Sequence, residues 1–558
     1  MSTAIAKSFL KRLTLTVCVL SLGSLALAQT NTESRKEKVD WNKPIAVATI
    51  ASIDRVLDDI DYIFATVDKP EYPAMIKGFL AQYRNLAGLD KTKSLGTFVF
   101  LNEGIAPQAV VVGFIPVKSL DELTQTLGEV GFLLNPVEGK EDRYTLALPT
   151  FTVHIKMAHG YAFLHIKSES LDREFYNPDE FTSALAKEYD IAGSLFLSNV
   201  PQPMRMMAVD LARARADEQL PQKPGEDDLK YKGRKETTLL MLKQFEQVAE
   251  DGNQLTIGYN LSKEKKNIQL HLGVKAQPGT PLSKEFEQLS KTSSQYSYLQ
   301  ADSAEMLGYT ILPLRKEVEQ KMILDLIEKS TRNIPPILLG DDANPGPVAK
   351  ILDSLKATVG SGKLDGHIQM QQVGEKKVAL LGAVKLSNGA QFQQGLQEFF
   401  DLTKQADDTK GVEGNVAEVE GIAIHKITPD NLKEDTKKLF GQNPVIYIGC
   451  SQDECWVAMG ETESLELLKK SISTGNSHAQ DRKQGTAFLL SFKLAAMIPL
   501  AEENAKNPDF IESAKVAFAS GGDLMTIYPK ITADQASLNL EFGEGFIRLI
   551  SLAIANRK

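Results

Sequence analysis

The chain has 558 residues, 42% of them hydrophobic and 24% charged, with a formal charge of −9. This balance belongs to a globular protein with chain enough for large cores, and it excludes a collagenous, disordered or polytopic membrane protein. An acidic chain offers no electrostatic footprint for nucleic acid, which excludes transcription and replication roles.

Residues 1–28 have the pattern of a secretory signal peptide. Lys7, Lys11 and Arg12 precede an apolar run from Leu13 to Leu25, and Ala26-Leu27-Ala28 is a small-x-small cleavage site. Cys18 would leave with the peptide, and residues 29–40 are polar and expected to be flexible. The expected compartment is therefore periplasmic or secreted, with no transmembrane segment after cleavage. A first α+β domain is expected over 41–277. Its opening helix carries Ile53, Val56, Leu57, Ile60, Ile63, Phe64 and Val67 on one face, with Ser52 as N-cap. A second helix is expected around Ala74 to Leu86. The strand Gln108–Gly113 leads to a helix opened by the capping pair Ser119 and Glu122. Residues Val153 to Leu164 alternate around the turn His159-Gly160, and Leu261 to Ile268 forms a late hairpin. Residues 278–297, a polar stretch with one short helix, connect this domain to a second α+β domain over 298–558. That domain ends in an amphipathic helix around Phe546 to Leu552.

The second domain reads as a repeat of the first. Gly113 matches Gly382, Ile155 matches Ile448, Ser198 matches Ser491 and Thr256 matches Thr526. Helix starts at Ser168 and Thr462 also correspond. Phe392, Leu396, Phe399 and Phe400 form a helical stripe after the Gly382 strand. The spacing between copies widens and then narrows, which requires polar insertions. Gln405–Gly411 and Asn431–Asp435 supply them in the second copy and Gln222–Asp228 in the first. The hairpins imply antiparallel pairing, so the expected fold is two tandem related α+β domains. Each is a mostly antiparallel sheet with helices packed on one face.

Few residues suggest chemistry. Cys450 and Cys455 flank a four-residue hairpin loop, which sets them opposite each other. An exported protein meets an oxidising compartment, so the pair reads as a structural disulfide, with free thiols or two metal ligands as alternatives. His154 and His165 should face each other across the His159-Gly160 hairpin, on the face opposite Ile155 and Leu164. Two imidazoles alone do not make a metal site, so they read as half-exposed residues of a solvent face. Asp341-Asp342-Ala343-Asn344-Pro345-Gly346 lacks the spacing and distal Glu of a calcium loop and reads as an acidic turn. Gly360-Ser361-Gly362-Lys363 lacks the first Gly and the final Ser/Thr of a phosphate loop. Neither H-E-x-x-H nor G-x-S-x-G occurs in a suitable place.

Lys43–Ala48, Asn85–Lys91 and Val112–Val117 resemble stretches of a group of large exported bacterial proteins that repeat a strand-helix unit and have no assigned activity. The resemblance implies an exported, duplicated α+β protein and brings no catalytic residue. Catalytic residues, cofactors and metals are therefore expected to be none. The expectation is a non-enzymatic envelope protein whose two domains bind or scaffold a protein, glycan or lipid. The alternative is an exported hydrolase with an unrecognised carboxylate or His site.

Overall fold

The computed structural model describes residues 40–555 except 105–106, 315, 332–333, 342, 375–376, 406–410, 430–431, 478–486 and 500–507. The expected signal peptide, nearly all of the polar stretch behind it, and residues 406–410 and 431 of the expected polar insertions lie outside the described residues. The chain mixes helix and strand around one large antiparallel sheet.

The first ten strands are β1 (Ala46–Ile50), β2 (Leu95–Leu101), β3 (Ala109–Pro116), β4 (Leu134–Val137), β5 (Lys140–Ala147), β6 (Thr152–Ala158), β7 (Tyr161–His165), β8 (Ile191–Phe196), β9 (Gly252–Ser262) and β10 (Asn267–Ala276). The next ten are β11 (Met306–Pro313), β12 (Lys363–Gln372), β13 (Val378–Lys385), β14 (Val412–Val419), β15 (Ile422–Ile427), β16 (Val445–Cys450), β17 (Glu454–Gly460), β18 (Phe488–Lys493), β19 (Leu524–Ile531) and β20 (Gln535–Gly543). In space the first ten run 4-5-6-7-3-2-1-8-9-10. The second ten run 14-15-16-17-13-12-11-18-19-20, the same order. The two series join where β10 pairs antiparallel with β20 along nine residues, from Asn267↔Gly543 to Lys275↔Gln535.

The registers of the two series also correspond. Ser194 pairs with Thr256 in the first, and Ser491 pairs with Thr526 in the second. Ser491 therefore answers to Ser194 and not to Ser198, which lies in a short 3-10 turn beyond the strand. The matches at Gly113/Gly382, Ile155/Ile448 and Thr256/Thr526 fit one register throughout. Carried into the seam, that register makes His271 and Asn539 corresponding residues, and they are direct cross-strand partners. Their side chains meet there, with His271 Nδ1 3.0 Å from Asn539 Oδ1.

Helices cover both faces of the sheet, which corrects the expected single helical face. On one face Val47, Phe98, Val112, Phe114 and Phe163 pack under Leu185 of the helix Asp179–Glu188, and Phe98 stacks on Phe114 at 4.5 Å. Leu381, Trp456 and Ala458 pack the same way under Leu468 and Ile472 of the helix Glu463–Ser477. The other face carries the C-terminal helix Glu544–Ala555 and the linker helix Pro281–Ser290, one at each end of the seam. Ile547 of the first packs on Leu261, Ile268 and Phe542, and Leu282 and Phe286 of the second pack on Val274, Ile531 and Ala536. Each helix thus buries residues of both series, so burial as well as hydrogen bonding holds the seam. Between them Leu270 and Leu272 stay half-exposed and Ile257 is 64% exposed.

Several local expectations are adjusted. The opening helix is Ile53–Ala65 and Ser52 accepts from the Arg55 N–H, as a cap should. The second helix ends at Gln82, before a 3-10 turn Arg84–Leu86. Ser119 caps the helix Leu120–Glu129, but its own N–H donates to Gly88 and not back to Glu122, so the capping box is half formed. Ser168–Leu171 is only one 3-10 turn, whereas its counterpart is a helix of fifteen residues. Gln222–Asp228 turns between the helices Gln202–Gln219 and Asp228–Asp251. The connecting segment is not a free linker: Ser294, Gln295, Tyr296 and Ser297 are buried.

The outermost strands are β4 and β14. β4 has four residues including Pro136, which has no N–H to offer. β14 is broken by a bulge between Glu413 and Ala417, with Asn415 at φ 56°.

Candidate functional site

Two places in the fold concentrate polar groups. The first is a cleft of about 670 Å³ between the linker helix and the ends of β11, β18 and β19. Pro281, Leu289, Ile311, Phe488, Pro529 and Ile531 give it an apolar lining. Among the described residues Lys284, Lys291 and Lys363 are its cations and Glu285 is its one acid. Glu285 Oε2 accepts from Gln247 Nε2 at 3.1 Å, while Oε1 is buried with no partner among the described residues. Loss of hydration drives the Glu285 carboxyl up to about 7, against a lowering by the Gln247 hydrogen bond and the charge of Lys243. The sequence carries a signal for this residue that was not used. Leu282, Glu285, Phe286 and Leu289 stand at i, i+3, i+4 and i+7, so a carboxylate sits on an apolar helix face.

The second place lies inside the second series. In β12 the alternation places Asp365, His367 and Gln369 inward and leaves Ile368 42% exposed, the reverse of what hydropathy suggests. Asp365 is held by the Ser294 hydroxyl at 2.6 Å and the Gln295 N–H at 2.9 Å, both from the connecting segment. The His367 ring lies 4.6 Å from Tyr296 and 5.6 Å from Trp456. Neither His367 nitrogen nor the Tyr296 hydroxyl has a partner among the described residues. Burial pushes His367 down to about 3, so its imidazole is neutral. Nearby, Glu454 receives a hydrogen bond from Gln295, and burial followed by the Asp453 charge drives its carboxyl up to about 7. Lys385 bridges this group, 2.9 Å from Gln295 Oε1 and 3.5 Å from Asp453. Asp365, His367, Gln295 and Tyr296 are packed into the core and face no described cleft, so the group ties the connecting segment to the sheet.

The residues read from the sequence fall elsewhere. Cys450 and Cys455 are direct cross-strand partners, buried, with Cα atoms 4.2 Å apart, an arrangement compatible with a disulfide. Leu386, Leu396 and Phe400 surround them, which makes the place structural. His154 and His165 pair across the hairpin as expected, and His159-Gly160 form its turn with φ 55° and 76°. Their face is not the solvent face, because Tyr161 and Phe163 on the same side of β7 are fully buried. The two His sit at the rim of that core, and His165 Nδ1 accepts from the Lys167 N–H at 2.9 Å. No group of three His, Cys, Asp or Glu side chains placed for a metal occurs among the described residues. Asp341 Oδ1 accepts from the N–H groups of Ala343 and Asn344, the geometry of an acidic turn; Asp342 lies outside the described residues. Gly360-Ser361-Gly362-Lys363 leaves a helix and enters β12, whereas a phosphate loop would enter a helix. Three of those residues line the cleft mouth. Among the described residues no helix is long and apolar enough to cross a membrane. Comparison with protein-family models, with curated proteins and with solved structures finds no match.

Proposed function

We propose that the protein is exported to the periplasm or cell exterior, arose by internal duplication, and works there as a non-enzymatic binding protein. The leader-like sequence supports export. The recurrence of one strand order in both series supports duplication. The observation that carries binding is the cleft: an apolar floor, a rim of cations and one desolvated carboxyl, the make-up of a ligand site. Native mass spectrometry of the protein isolated from its own envelope fraction tests this reading. A retained mass that is lost on Phe488→Asp supports it, and a bare chain in both forms counts against it.

One observation favours the alternative hydrolase. A carboxyl held near 7 is suited to general acid catalysis. Among the described residues no second carboxylate lines the cleft and Glu285 hydrogen-bonds none of the lining hydroxyls, which is why binding is preferred. Any turnover of glycoside or ester substrates that Glu285→Gln abolishes would reverse that preference.

A further inference from the structure

The cleft is the counterpart of a place that the first series fills. There the end of the opening helix lies on the sheet, with Tyr62 and Ile63 packed on Tyr259, Leu261 and Ile547 of the C-terminal helix. In the second series Pro529 and Ile531 stand in register where Tyr259 and Leu261 stand in the first. Phe488 stands where Ile191 does, opposite Thr310 of β11 as Ile191 is opposite Ile50 of β1. The N–H groups of Ala51 and Ile311 make the same bond at this corner, to Asp190 and Ala487. The linker helix takes the part of the C-terminal helix. The helix that would answer to the opening helix, Lys321–Ser330, packs on the helix Pro347–Gly360 as the opening helix packs on Glu71–Gln82, but none of its described residues lines the cleft. The cleft is a helix seat with no described helix in it.

The open seat carries its charges at other residues, since Ala487 stands in register where Asp190 does. The opening helix is acidic, with Asp54, Asp58, Asp59 and Asp61, and carries one cation, Arg55. Arg55 pairs with buried Asp190, and Asp59 lies 3.4 Å from Lys263. The open seat offers one acid, Glu285, with an unpartnered oxygen, and the cations Lys284, Lys291 and Lys363. It is thus complementary to a helix of the same type: apolar on one face, acidic on the flanks, with one donor for Glu285.

We infer that the cleft docks an acidic amphipathic helix of a partner protein, in the position the opening helix holds in the first series. This rests on the binding reading above and names its partner class. The probe is a labelled peptide of Ser52–Val67 of this chain, held helical by a side-chain lactam and titrated into the intact protein by fluorescence anisotropy. Saturable binding is expected. It should weaken by about tenfold or more in Lys284→Glu/Lys291→Glu and in Phe488→Asp, and stay unchanged in Ile257→Asp, which alters the exposed patch elsewhere on that face. Hydrogen exchange should slow over Pro281–Lys291 when the peptide is bound. No saturable binding, or binding indifferent to Phe488→Asp, overturns the inference. If the peptide fails while native mass spectrometry finds a non-peptide mass released by Phe488→Asp, the helix class falls and the binding reading stands. If both are negative, both fall.

Discussion

His367 and Glu454 act in opposite directions along the pH axis. The Glu454 carboxyl is raised from an ordinary 4.5 to about 7, so its contribution is present at acid pH and is lost as pH rises through that window. His367 is lowered from 6.5 to about 3, so the unfolded chain takes up a proton that the folded one refuses, and stability is lost as pH falls through that window. Urea midpoints measured at several pH values should show Glu454→Gln flattening the decline towards neutrality and His367→Phe flattening the decline towards acid. Unchanged profiles in both would remove these two groups from the account. At Cys450 and Cys455 the intact mass should lack two hydrogens, and the double Ala variant should lose roughly 2 kcal/mol by the chain-entropy estimate for so short a loop. Full-mass protein with two alkylatable thiols would refute the disulfide. That pair was legible because hairpin geometry is local and the two residues are only five apart. Glu285 and His367 were not found. Their significance comes from burial by segments distant in sequence, and a polar residue on an alternating strand ordinarily signals the outer face.

At the scale of elements, caps and apolar stripes were the dependable signals, since both are set within one or two turns of chain. Ser52→Ala should cost about 1 kcal/mol, because the Arg55 N–H would lose its acceptor. The C-terminal helix makes a larger claim. Ile547 is fully buried against residues of the first series, and Ser551 Oγ donates to Ile63 O at 2.9 Å. Ile547→Ala should cost roughly 3 kcal/mol. The loss should appear as faster hydrogen exchange in β9 and β10, far away in sequence. Loss confined to the C-terminal helix would show that it does not brace that hairpin. The single helical face expected from the sequence failed for a physical reason. Strands such as β3 bury alternate residues deeply, and that pattern marks one apolar face without saying what covers the other. Here the helices at the seam come from the ends of the two series and cross onto each other's hairpins.

The molecule as a whole depends on the pairing of β10 with β20. The repeated order of strands was readable from Gly113/Gly382, Ile155/Ile448 and Thr256/Thr526. The seam was not, because no local signal says that the last strand of one series will pair with the last strand of the other. Chains spanning 40–297 and 298–555 should each present an open edge along β10 or β20. Expressed together they should co-purify as a stoichiometric pair, and expressed alone they should self-associate. Monodisperse single halves would show that the seam is dispensable. The two outer strands have the converse property. Pro136 in β4 withholds a donor, and the bulge at Asn415 bends β14 out of line, so neither rim offers a straight, fully paired template to another copy. A sheet that joins its halves edge to edge would otherwise go on recruiting neighbours into a fibril. With its rims blunted, this one adds a single partner series and stops, and it stays a finite particle at concentrations where a ladder with open rims would polymerise.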